Sequence, residues 1–159
     1  MLIAAKTAPK GKGQDTTVCR LIKDESMIED IANKMKEIGE TVKMNAFIRD
    51  ADNILQAPVL LLLGSKIRSL GLKKCGMCGF ENCAEKTRNP NIPCVFNTGD
   101  LGIAIGSAVS IAMDNRVDNR IMYTVGQAVM EMNLLGEEVK ILYAIPLSAS
   151  KKNPFFDRA

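Results

Sequence analysis

Four of the chain's five cysteines fall in one stretch, KKCGMCGFENCAEKTRNPNIPC at 73–94, in a chain that contains no histidine. Cys75, Cys78, Cys83 and Cys94 follow C-x2-C-x4-C-x10-C. If the four share one centre, the backbone must fold back on itself within these residues, a stronger constraint than any hydrophobic pattern in the chain. An odd cysteine count, clustered rather than scattered, reads as metal ligation or redox chemistry before a disulfide framework. The closest ligation chemistry is a cubane 4Fe-4S cluster: a C-x2-C pair reaches neighbouring corners, and the longer spacers carry the other two thiolates to the remaining irons. Gly76 and Gly79 suit that geometry, since glycine tolerates the positive-φ turns that aim backbone N–H groups at sulfur. A zinc site with four cysteine ligands is the alternative, although such sites usually pair two C-x2-C motifs. Lys66, Arg68, Lys73, Lys74, Lys86 and Arg88 surround the window, and read either as a basic rim that offsets thiolate charge or as a solvated loop surface. Cys19, in a strand pattern, reads as a small core residue.

The rest of the chain alternates helical and extended patterns. MLIAAKTAP (1–9) reads as a helix already under way at its first residue, and KGKGQD (10–15) as a basic loop. TTVCRLI (16–22) is β-branched and apolar, hence a strand. Ser26 and Glu29 suggest a capping box, and Met27, Ile28, Ile31, Ala32, Met35 and Ile38 recur at helical spacing up to Gly39. FIRDADNILQ (47–56) suggests a short helix, and PVLLLLG (58–64) a strand buried on both faces. Asp100 can cap a helix running to about Asn115, on which Gly102, Gly106 and Ser110 form a ridge open to close approach by another backbone. DNRVDNR (114–120) reads as a solvated connection. A helix over 120–135 should bury Met122, Val125, Val129 and Met132 and end at Gly136, and VKILYAIPL (139–147) is a last strand closed by Pro146.

With 159 residues, 47% of them hydrophobic, the chain suits one compact domain over 1–159 with the four-cysteine segment 73–94 embedded in it. A net charge of +3 is far from the excess expected of a nucleic-acid binder. The longest uninterrupted apolar run falls well short of the ~20 residues of a transmembrane helix. These features point to a cytoplasmic protein that engages neither nucleic acid nor membrane. Without histidine or a recognisable nucleophile setting, acid–base and nucleophilic catalysis have little support.

The segments CGMCGFENC, APKGKGQD and IPLSASKKNPFFDR resemble an uncharacterised prokaryotic family of ferredoxin domain-containing proteins, and the likeness runs over essentially the whole chain. That family's frame is similar in turn to flavin-dependent nitroreductases, through the AAKTAP opening, the DLGIAIGSAVSIAM helix and the IPL tail. The resemblance implies an α+β fold, a nitroreductase-like sheet flanked by helices that carries the cysteine-rich segment as an insertion. It further implies a homodimer, FMN as a cofactor, and Lys10, Lys12 and Arg158 as groups near a flavin phosphate. Two functions stay open: a redox protein in which a cluster exchanges electrons with a flavin, a small acceptor or an acidic electron-transfer partner, and a non-enzymatic protein whose four-cysteine site, zinc or cluster, shapes a loop for assembly or sensing.

Overall fold

The structure, a computed structural model, describes residues 1–156. The uninterrupted apolar run after Pro58 becomes β2 (Val59–Lys66), and its neighbours explain why it does not alternate. Leu60 and Leu62 point into one hydrophobic cluster and Leu61 and Leu63 into another. Helices therefore cover both faces of the sheet, and a strand wet on neither face has no use for polar positions. β1 (Thr17–Ile22) pairs antiparallel with β2, Leu21 opposite Leu61. On its other side β2 pairs antiparallel with β4 (Val139–Ser148), Leu61 opposite Ile145. A two-residue strand, β3 (Asp118–Asn119), completes the order β1-β2-β4-β3.

One layer holds α2 (Glu25–Val42), α3 (Asn45–Ile54) and α6 (Tyr123–Glu131), with Ile31, Met35, Ile54, Val125 and Val129 in its core. The other holds α1 (Leu2–Thr7) and α5 (Val95–Asp114), where Ala5 and Ala8 meet Leu101, Ala104 and Ala108 over β2. By length and composition α5 could cross a membrane. Its inward face packs on α1 and the sheet, as a core helix does.

Several expected boundaries move, each for a local reason. Asp24, not Ser26, caps α2, its carboxylate accepting from the Ser26 N–H at 3.0 Å. Gly39 does not end α2 but lets α3 approach, since a Cβ there would lie 3.0 Å from that of Phe47. The connection 114–120 contains β3, too short to leave a periodic signal. α6 begins only at Tyr123, because Met122 is held in an isolated bridge to Ala144. Pro146 does not close β4. Ala144 donates its N–H to Met122, so the N–H that proline lacks two residues on would face the gap between that bridge and β3. α6 sits directly on β4 at Gly126, where a Cβ would meet the Leu142 carbonyl oxygen at 2.0 Å.

A buried carboxylate ties α3 to α6. Asp50 accepts from Arg49 Nε at 2.8 Å and from Thr124 Oγ1 at 2.7 Å. Arg49→Ala would remove the countercharge and leave the carboxylate with Thr124. The guanidinium is partly exposed, so the cost should fall below that of breaking a fully buried pair, about 1–3 kcal/mol. A urea midpoint unchanged in Arg49→Ala would show the pair to be energetically silent.

Candidate metal centre

The window that carries the cysteines leaves the sheet at the end of β2 and has only one regular element, α4 (Cys83–Thr87). Turns rather than helices shape the rest. Gly76 and Gly79 both have positive φ, 86° and 88°, as their place in the motif suggests, and the Gly79 N–H donates to the Gly76 carbonyl at 3.0 Å. A residue with a side chain would be strained at either position. Asn82 caps α4 through its side chain, which accepts from the Glu85 N–H at 2.9 Å and so fixes Cys83 in the first helical turn.

Cys94 has a different anchor. The expected start of α5 at Asp100 is too late by a turn and a half: the helix starts at Val95, with Cys94 in the capping position. Asn97 makes that start possible, its Oδ1 accepting from the Cys94 N–H at 3.0 Å. The Cys94 sulfur thus stands at the positive end of a 20-residue helix, a favourable place for negative charge. Asp100 has another task, accepting from the Gly11 N–H at 2.9 Å.

All four window cysteines line a single tight cavity of about 10 Å³, room for little more than one water. Cys94 is buried, and Cys75, Cys78 and Cys83 are half-buried. Leu70, Leu72 and Phe96 supply apolar walls. Among the described residues no three metal-ligating side chains are grouped closely enough to hold a single ion.

The other lining residue of consequence is Lys86, only 2% exposed. Its ammonium forms no hydrogen bond or ion pair with another described residue. No side-chain nitrogen among the described residues is both fully buried and unpaired, so the stem of Lys86 is packed into the wall while its ammonium keeps contact with water, a cation in the same wall as the four thiols. The sequence pattern grouped Lys86 with a basic rim. It is part of the wall instead, while Arg68, Lys73, Lys74 and Arg88 stay exposed and Lys66 pairs with Glu138.

Cys19 lies apart, on β1, packed against the cluster that holds Leu61 and Leu63. Burial pushes its thiol up, with Asp15 adding to the effect and Lys10 and Lys6 opposing it. It stays mostly protonated at neutral pH.

The basic loop lies against the cysteine site. A Cβ at Gly11 would come within 2.9 Å of both Leu70 and Phe96, two walls of the cavity, so loop and cavity share those side chains. Lys10, however, donates to the carbonyls of Ala5, Lys6 and Ala8 at 3.0, 3.2 and 2.8 Å. All three of its donors thus cap the C-terminus of α1. Lys12 is exposed, in the left-handed conformation with φ 52°. Arg158 lies outside the described residues. No sequence pattern singles out Asn97 or the burial of Lys86, both of which depend on contacts between segments.

The whole chain aligns at 41% identity with 88% of an uncharacterized protein of Archaeoglobus fulgidus. The family model described as "uncharacterized protein containing a ferredoxin domain" matches residues 90–158, a stretch that includes Cys94. The chain belongs to this family. Its fold is that of the nitroreductases. An FMN-bound nitroreductase of Bacteroides fragilis superposes with a TM-score of 0.63 at 12% identity, over 95% of this chain and 78% of that one. Another with bound FMN, from Desulfitobacterium hafniense, gives 0.62 at 14% identity, over 94% and 74%. A BluB-like flavoprotein of Clostridium difficile gives 0.57 at 21% identity, over 95% and 82%. At these identities the likeness extends to the fold alone.

Proposed function

We propose that this ferredoxin-domain protein is an iron–sulfur redox protein whose cluster is held by Cys75, Cys78, Cys83 and Cys94. The observation that carries the reading is the single cavity lined by those four cysteines, with Lys86 packed in the same wall. The C-x2-C-x4-C-x10-C spacing suits a core in which each thiolate takes a different iron, whereas four-cysteine zinc sites usually pair two C-x2-C motifs. When bound, the cluster supplies one-electron transfer. The chain's part is to exclude water with Leu70, Leu72 and Phe96 and to offset thiolate charge with Lys86. Exposed Lys73 and Lys74 would steer an acidic electron-transfer partner, so added salt should slow reduction by such a donor. A cytoplasmic setting, where thiols stay reduced, suits this chemistry.

FMN as a second cofactor is the finer part of the proposal. Its support is the contact of the Gly11 loop with the cavity wall and the FMN bound by proteins of the same fold. Lys12 and Arg158 are its candidate phosphate contacts, while Lys10 acts by shaping the loop. Anaerobic purification tests both parts. About four irons per chain with visible absorption are expected, and added FMN should lose fluorescence on binding. Stoichiometric zinc without visible colour would overturn the cluster, and unaltered FMN fluorescence would overturn the flavin. The commitment of Lys10 to α1 favours a second reading without flavin, in which the four-cysteine site, zinc or cluster, only holds the window in shape.

The active unit is proposed to be a homodimer formed across α5. Gly102, Gly106 and Ser110 are exposed, with Ile103, Ile111 and Met113 beside them, so the ridge does not pack on the chain's own sheet. A Cβ at Gly106 meets nothing within 4 Å. Gly106→Leu should therefore leave the protomer folded while disrupting pairing. Sedimentation at micromolar concentration is expected to show a dimer for the wild type and a monomer for the variant. A monomeric wild type would end this proposal.

A further inference from the structure

The cysteine window is a long loop with a narrow neck, and one buried side chain spans that neck. Asn97 is 3% exposed. Its Oδ1 accepts from the Cys94 N–H at 3.0 Å and from the Arg68 N–H at 3.2 Å, and its Nδ2 donates to the Arg68 carbonyl at 3.1 Å. Arg68 lies just past β2, ahead of the window, and Cys94 is the window's last cysteine. The amide can take only one orientation here: two N–H donors require its oxygen, and a carbonyl requires its NH2. A carboxylate in its place would set oxygen against oxygen at Arg68. Closing a loop costs chain entropy, and a link present before any ligand binds has already met that cost.

We infer that Asn97 is a positioning residue that closes the neck of the cysteine loop and holds Cys94 toward the other three thiols. The inference rests on reading the four cysteines as ligands of one centre, but the neck itself can be tested without metal. Asn97→Ala removes all three hydrogen bonds. Asn97→Asp keeps the two accepted ones, replaces the donated one with a repulsion, and should give an intermediate effect.

The test is alkylation of the reduced, metal-free full chain, with the rate at each cysteine followed by mass spectrometry. In the wild type, buried Cys94 should react more slowly than Cys75, Cys78 and Cys83. In Asn97→Ala its rate should rise about tenfold, and less in Asn97→Asp, with Cys19 unchanged in both. A second arm loads each protein with equal ferric and ferrous iron and sulfide, without oxygen, and follows loss of visible absorption to a chelator. Loss should be about 10–100 times faster in Asn97→Ala. A Cys94 rate equal to wild type in both variants overturns the inference. So does equal acceleration at Cys94 and Cys19, which would indicate general loosening. If Asn97→Ala does not fold, Asn97→Asp decides by the same criteria. If the wild type takes up no iron, the iron–sulfur reading fails, and the alkylation arm alone still supports or overturns the neck.

Discussion

Replacing Cys83 by serine is expected to strip most of the iron from anaerobically prepared protein, whereas Cys19→Ser should leave the content near about four per chain. The two thiols differ in setting. Cys83 lines the cavity with Cys75, Cys78, Cys94 and Lys86. Cys19 packs on the Leu61 and Leu63 side of the sheet, where burial pushes its thiol up. A serine at position 83 stays protonated at neutral pH and cannot supply the thiolate's negative charge. It also leaves the α4 cap at Asn82 intact, so the variant should keep its fold. Iron and sulfide assays with a visible spectrum check the result. Equal iron in wild type and Cys83→Ser would remove Cys83 from the ligand set.

What could be read in the chain before its fold was known divides along physical lines. The spacing of Cys75, Cys78, Cys83 and Cys94 is local chemistry, and so are the turns at Gly76 and Gly79, whose φ is positive as glycine there suggests. The buried strand was equally plain, because Leu60 to Leu63 leave no polar face for water. The features that needed two distant segments were not legible. Cys94 caps α5 only because Asn97 answers it, and a cysteine at a helix start is not one of the usual capping residues. Asp100 carries the composition of a cap, yet its carboxylate serves Gly11, 89 positions away in the chain. Lys10 has the composition of a phosphate ligand and serves instead as a cap for α1, since a flexible ammonium turns toward whichever carbonyls lie within reach. β3 is set by the return of β4 to Asp118 and Asn119, and two residues have no period.

Lys86 offers a test in which the sign of the effect, not only its size, reports on the site. In the metal-free chain its stem is packed away while its ammonium, without an ion-pair partner among the described residues, keeps contact with water, so the charge adds nothing to stability. Lys86→Met keeps most of the volume of the side chain and removes that charge, so the metal-free variant should unfold at an equal or higher urea concentration than the wild type. In the loaded protein the four thiolates carry more negative charge than the metal core offsets, and Lys86, in the same wall, becomes their cationic partner. Removing the cation from a pair that keeps some contact with water costs about 1–3 kcal/mol. The loaded variant should therefore lose its visible absorption to a chelator much faster than the loaded wild type. Opposite signs in the two states are what a built-in counter-cation requires. A lysine that serves only to fill space would shift both states in the same direction, and that outcome would withdraw Lys86 from the site.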